Sequence, residues 1–164
     1  MAVTKAKKRE IAAKLGDILS RASSLVFVRF NKLAVADAAR VRRALKGESI
    51  GYVVAKKTLL RRALAEKGYI GELPDLPGEI ALAWTTEGDA TAPARGVYEH
   101  AKKLKGALVL VGGVFDNAYR DLASITAIAV IPPLPVLRGM FVNIINSPIQ
   151  GLVVALSQVA EIKK

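Results

Sequence analysis

Residues 51–64 read GYVVAKKTLLRRAL, and the fold turns on how this stretch divides. Its first part, Tyr52, Val53 and Val54, is aromatic and β-branched, the types that fit a pleated, half-buried surface. Its second part repeats Leu59, Leu60, Ala63 and Leu64 at helical spacing. The pattern predicts a strand that passes straight into a helix, with Thr58 at the join to cap the first free N–H groups. Lys56 and Lys57 stand just before that cap, and Arg61 and Arg62 follow one turn later. Free N–H groups, the positive end of a helix dipole and four cations converge there, which suits a polyanion such as a phosphate backbone. Solvation of a surface helix by the same charges is the plainer alternative.

Outward from this stretch, strands and helices alternate. Residues 24–30 (SLVFVRF) read as a buried strand with Arg29 as its only charge. A turn at Asn31 and Lys32 leads to a helix over residues 35–45, with Ala38, Val41 and Leu45 inward, Arg40 and Arg43 outward, and Gly47 as its stop. Residues 68–78 (GYIGELPDLPG) form a Gly- and Pro-punctuated loop. Residues 80–85 are a third strand, 92–104 a helix with Val97, Ala101 and Leu104 apolar, and 107–115 a fourth strand. Gly112 and Gly113 in that strand mark a bulge or a close contact. Before all of these, residues 5–22 predict a helix capped by Thr4, with Ile11, Leu15, Ile18, Leu19 and Ala22 as its apolar stripe. The expectation is an α/β (α+β layered) fold: a four-stranded sheet with packed helices in a globular domain over residues 1–131. A split βαβ arrangement is compatible with the spacing, but the pattern gives no strand order.

Charge points to a partner. The chain has 164 residues and a formal net charge of +11. Residues 1–62 hold 16 cations against 4 anions, whereas residues 63–131 hold 6 against 9. A basic protein with no large partner would spread its charge; concentration in the first third points to an anionic surface approached from one side. Lys5, Lys7, Lys8 and Arg9 oppose the dipole of the first helix, which an external anion explains; the alternative is a solvated, fraying terminus. The candidates for nucleic-acid contact are therefore Lys5, Lys7, Lys8, Arg9, Arg42, Arg43, Lys56, Lys57, Thr58, Arg61 and Arg62. Trp84, Tyr52, Phe27, Phe30 and Phe115 lie within aliphatic strands and read as core, so structured RNA gripped through its backbone is favoured over stacked single strands.

Residues 132–164 are different in kind. Pro132, Pro133 and Pro135 make a stiff break. Beyond them, residues 140–160 (MFVNIINSPIQGLVVALSQVA) carry no charge, a length that could span a membrane. Against a span, Asn143, Asn146, Ser147, Gln150, Ser157, Gln158 and Glu161 share one side of a helical wheel, and amides at mid-bilayer are costly. Lys163 and Lys164 could anchor a tail-anchored membrane protein, and self-packing onto the domain is a third possibility. A wide apolar face with a narrow polar stripe best fits a helix covered by partner helices. Leu137, Met140, Phe141, Ile144, Ile145, Ile149, Leu152, Val153, Leu156 and Val159 are the candidates to make that contact. Pro148 and Gly151 are expected to divide the tail into residues 137–147 and 149–160, two similar docking segments.

Catalysis finds no foothold. There is no cysteine, His100 is the only histidine, and Glu99 beside it reads as a solvated neighbour. No GxxxxGK[ST] loop or GxGxxG turn is present, and Glu72, Asp75, Glu79, Glu87 and Asp89 lie in or beside loops. The expectation is no catalytic residue, no metal and no cofactor. No apolar run follows the basic N-terminus, so it does not read as a secretory signal.

Residues 52–63 (YVVAKKTLLRRA) resemble the VVKNTLxRRA signature of the bacterial large-subunit ribosomal protein ten family, the stalk-base proteins. The opening T-x-A-x-K helix, the strand at 25–30 with the turn at 33–35, the Val41-Arg42-Arg43-Ala44-Leu45 helix and the tail element Leu152-Val153-Val154-Ala155-Leu156 fall in the family's order. Lys57 stands where the family usually has Asn, and Gly151 and Val154 where many members have Lys and Arg. The resemblance implies a cytoplasmic, non-enzymatic constituent of the large ribosomal subunit. Its domain would dock on large-subunit ribosomal RNA beside ribosomal protein eleven. Its tail, residues 132–164, would carry dimers of the acidic stalk protein that recruit translational GTPases, two dimers for two segments, with three as the alternative. Members of the family can also bind their own messenger RNA leader.

Overall fold

The computed structural model describes residues 5–31, 33–86, 88–104 and 106–162, with the side chains of residues 5–9 excepted. The expected cap Thr4, the turn residue Lys32, the loop carboxylate Glu87 and the tail cations Lys163 and Lys164 lie outside the described residues. Two compact units are present, residues 1–131 and residues 132–164.

The first unit runs α1 (Lys5–Arg21), β1 (Ser24–Phe30), α2 (Val35–Gly47), β2 (Gly51–Ala55), α3 (Lys57–Lys67), β3 (Glu79–Thr85), α4 (Ala92–Lys103), β4 (Leu108–Phe115), β5 (Ala118–Arg120) and α5 (Leu122–Val130). The sheet has the order β2-β3-β1-β4-β5, every pairing antiparallel. Because β3 pairs antiparallel with both β1 and β2, those two strands run parallel with β3 between them. The unit β1–α2–β2 is thus a split βαβ, and β3–α4–β4 is a second one split by β1.

The pleat explains why helices cover both faces. Along β1, Leu25 and Phe27 point to one face and Val26 and Val28 to the other. On the first face Leu15 and Leu19 of α1 and Leu60, Ala63 and Leu64 of α3 close over Phe27, Ile80 and Leu82. On the second, Val41 and Leu45 of α2, Ala94 and Val97 of α4 and Ile125 and Ala129 of α5 close over Val26, Val28, Ala81 and Ala83. The apolar stripe expected on α1 lies on the first face, with Leu15 and Leu19 buried and Ile11, Ile18 and Ala22 packed beside them.

Five strands replace the expected four. β5 is only three residues long, too short to carry a period-two pattern, but its turn was written in the sequence: Asp116 and Asn117 both take positive φ, 52° and 57°. That is the backbone of a tight type I′ hairpin. α5 follows, capped by Asp121, whose carboxylate accepts the Ser124 N–H at 3.0 Å. Gly47 does not stop α2. It is the last helical residue, and the N–H groups of Glu48 and Ser49 close the helix on Leu45 and Lys46 while Ser49 takes the left-handed turn, φ 60°.

The glycine pair in β4 is both a bulge and a close contact. Phe27 pairs with Gly112 and Val28 with Leu110, so Val111 is the extra residue. The bulge resets the pleat: Leu108 and Leu110 face the α2/α4/α5 layer, whereas Val111 and Val114 face the α1/α3 layer. A Cβ on Gly113 would collide with the Leu25 carbonyl oxygen and press on Ile125. Gly113→Ala is therefore expected to destabilise the domain by about 1–3 kcal/mol, the usual cost of overpacking. Urea unfolding checks this as a lower midpoint at unchanged slope.

One ion pair ties the end of this unit down. Asp89 accepts from the Thr91 N–H (2.9 Å), the Thr91 hydroxyl (2.7 Å) and Arg95 (2.9 Å), and Arg95 also donates to the Ile131 carbonyl at 3.3 Å. Partial burial raises the Asp89 pKa, but the bonds from Thr91 and Arg95 outweigh it and leave it below the ordinary value. A carboxylate with a depressed folded pKa stabilises above its unfolded value, about 4, and that stabilisation is lost as pH falls through the lower folded value. Asp89→Asn should flatten the acid limb of a melting-temperature profile below pH 4; an unchanged limb counts against this role.

The second unit is one helix, α6 (Leu134–Ile162), with no buried residue. Pro135 sits in its first turn, where a missing N–H costs nothing, and the Leu137 N–H reaches the Pro133 carbonyl at 3.0 Å. The three prolines are thus a break followed at once by a helix start. The expected division at Pro148 and Gly151 is absent: Pro148 lies inside a continuous helix. A single proline removes one backbone bond at a cost of about 3 kcal/mol, which long helical runs on either side can absorb.

Candidate nucleic-acid interface

β2 ends at Ala55, opposite Ile80, and the chain turns directly into α3. The helix starts two residues earlier than its sequence suggests. Lys56 is the cap residue (φ −67°, ψ 132°) and makes no side-chain cap bond; Thr58 is already the second helical residue and is exposed. The Lys56 carbonyl takes both the Leu59 and the Leu60 N–H at 3.0 Å. The N–H groups of Lys57 and Thr58 are left without a partner among the described residues. The expected Thr58 cap is therefore corrected, and the correction leaves this helix end more open to an anion, since no side chain among the described residues caps it. No acidic residue occupies the first turn either.

A cleft of about 470 Å³ opens at this helix end, lined by Val54, Ala55, Lys56, Lys57, Thr58, Gly78, Glu79 and Ile80. Lys56 and Lys57 are exposed and enter no ion pair among the described residues. Arg61 and Arg62 are also exposed, but each already has a loose anion beside it: Asp75 at 3.6 Å from Arg61 and Glu66 at 3.6 Å from Arg62. The four cations expected to act together therefore differ, two free and two partly answered. Ion pairs this long and this exposed contribute little to stability, so a phosphate can displace them.

Arg42 and Arg43 lie on α2, on the other face of the sheet from α3. Both are exposed and unpaired among the described residues. Arg42 lies close enough to Tyr52 of β2 to act on its hydroxyl: burial raises the Tyr52 pKa and the Arg42 charge partly offsets it. The side chains of Lys5, Lys7, Lys8 and Arg9 lie outside the described residues, although their backbone is the first part of α1.

Spacing along the chain could not have found Gly78, Glu79 or Ile80 beside this helix end. They reach the cleft through the β2–β3 pairing, which sets Ala55 against Ile80 across 25 positions of chain. On α6 the ten apolar candidates, Leu137 to Val159, are all exposed, Phe141 at 65% and Ile144 at 69%. The helix is long and apolar enough to cross a membrane by length and composition. Because it is unbroken, the polar stripe from Asn143 to Glu161 stays in phase as one line.

Comparison with known proteins identifies the family. The family model described as Ribosomal protein L10 matches residues 3–102. The chain is similar to the large ribosomal subunit protein uL10 of Shouchella clausii, 34% identical over 94% of this chain and 90% of the relative. It is also similar to that of Myxococcus xanthus, 31% identical over 91% and 86%, and that of Gluconacetobacter diazotrophicus, 34% over 87% and 76%. A family match across most of the globular unit, and relatives aligned into the tail, place the chain in one lineage: it belongs to the ribosomal protein L10 family.

Proposed function

We propose that this chain is a structural constituent of the large ribosomal subunit, acting in the cytoplasm as a bridge and not as a catalyst. Residues 1–131 grip large-subunit ribosomal RNA, beside ribosomal protein eleven, and residues 132–164 carry dimers of the acidic stalk protein that recruit translational GTPases. The observation that carries the first half is the uncapped start of α3, where two N–H groups and Lys56 and Lys57, all without a partner among the described residues, border one cleft. The second half rests on α6, a 29-residue helix with a wide exposed apolar face and one polar stripe. Such a face calls for a cover, and helices of an acidic partner suit both its shape and the basic charge of the chain.

The test is binding of the full chain to deproteinised large-subunit ribosomal RNA, with lipid vesicles as the competing surface. The reading expects salt-sensitive affinity for the RNA and rescue of solubility by co-expressed acidic helical dimers. Partition into vesicles with no RNA affinity would instead make the chain a tail-anchored membrane protein.

A further inference from the structure

Arg29 is the only charged residue of β1, the central strand of the sheet. The pleat that points Leu25 and Phe27 to the α1/α3 face points Arg29 there too. Arg29 stands opposite Ile80 of β3, and Ile80 stands opposite Ala55 of β2, so the three form one row across the sheet with their side chains on the same face. Ala55 and Ile80 line the cleft at the start of α3. Two strand spacings, about 10 Å, separate the Arg29 backbone from that of Ala55. The side chain shortens this gap. Gly78, another residue of the cleft wall, takes a left-handed φ of 74°, and a Cβ on it would lie 3.4 Å from Arg29 Cδ and 3.6 Å from Cγ. The guanidinium, bonded to that Cδ, therefore begins beside the cleft wall.

Arg29 is half-buried, yet it enters no ion pair among the described residues. Asp75, on the loop that ends at Gly78, is taken by Arg61 instead. A guanidinium is seldom half-covered in a sheet without a counter-charge. We propose that Arg29 is a phosphate contact of the RNA surface, a further cation at the cleft beside Lys56 and Lys57. The proposal rests on the reading of residues 1–131 as RNA-binding and adds to that surface a cation rooted in the central strand. Had the charge served stability, a carboxylate of the protein would stand within reach, and among the described residues none does. The planar fork of an arginine matches two oxygens of one phosphate. Its stem is held by β1 and by the contact with Gly78, so it loses little freedom on binding, whereas the exposed Lys56 and Lys57 lose more. The plainer alternative keeps Arg29 for its methylenes alone, packed on Gly78 with the charge in water.

The test uses the full chain, deproteinised large-subunit ribosomal RNA at several salt concentrations, and thermal melting of each variant without RNA. Arg29→Met keeps the length of the stem and removes the charge. It should reduce the slope of log affinity against log salt by about one. It should also weaken binding by about tenfold or more, the usual worth of a hydrogen bond between charged groups. Its melting temperature should equal or exceed the wild type's, because an unanswered charge has left the sheet. Lys103→Ala removes an exposed cation from the end of α4, on the other face of the sheet, and should leave the slope unchanged. Arg29→Lys keeps the charge and loses the fork, so the slope should hold while affinity falls on the order of threefold. An unchanged slope in Arg29→Met, or an equal drop in Lys103→Ala, overturns the proposal. Should Arg29→Met fail to fold, Arg29→Lys decides: affinity equal to the wild type's overturns the proposal. Where Lys56→Ala/Lys57→Ala flattens the slope and Arg29→Met does not, the RNA-binding reading stands and this inference alone falls. A wild-type chain with no affinity for ribosomal RNA removes both.

Discussion

Replacing Lys56, Lys57, Arg61 and Arg62 together with Ala will flatten the salt dependence of binding to large-subunit ribosomal RNA. Each phosphate contact contributes about 0.7–0.9 to the slope of log affinity against log salt, so four contacts contribute about 3. Between 50 and 200 mM salt the wild type should then lose on the order of 10²-fold more affinity than the variant. The four will not share the effect equally. Lys56 and Lys57 have no ion-pair partner among the described residues, whereas Arg61 and Arg62 have Asp75 and Glu66 within 3.6 Å. The lysine pair alone should account for more of the change than the arginine pair alone. All four side chains are exposed, Lys56 makes no side-chain cap bond, and Arg61 and Arg62 lie in helix interior positions where Ala is a good helix former, so the melting temperature should hold. Filter binding at several salt concentrations measures the slope; a slope equal to the wild type's removes this site from the account.

Shortening the tail is the second large effect. A chain ending at Ile131 keeps every buried core residue, the last of which is Ala129. It should fold, bind ribosomal RNA as the full chain does, and lose all acidic stalk protein. A chain ending at Ser147 should lose about half, because residues 137–147 and 149–160 carry similar apolar patterns on either side of Pro148. The continuity of α6 does not oppose two sites: one helix can seat two dimers in tandem along one face. Native mass spectrometry of the complexes gives the count directly. Unchanged stoichiometry after the cut at 147 defeats the tandem arrangement, and loss of one or two dimers out of three gives the longer alternative.

Much of this was legible in the linear pattern because it depends on near neighbours. β1 and β2 were marked by β-branched and aromatic runs, and α1, α2, α3 and α4 by the recurrence of apolar residues every three or four positions. The start of α3 was misjudged by two residues, since Thr58 looks like a cap and Lys56 does not. Tertiary pairing overrode that preference: β2 holds its register on β3 until Ala55 and hands the cap position to Lys56. β5 and α5 were missed because a three-residue strand carries no period, though Asp116-Asn117 and the Asp121 cap were there to be seen.

Sequence alone determined the contrast between a basic first third and an apolar tail, since charge and hydropathy are properties of each residue and need no partner to be counted. Only the tertiary structure decided which cations stand together. Arg61 meets Asp75, 14 positions further along the chain, while Lys56 and Lys57 border one cleft with Gly78 and Glu79, because β3 pairs along β2. Strand order follows from long-range burial of both sheet faces, a balance over the whole core that no local window of sequence contains.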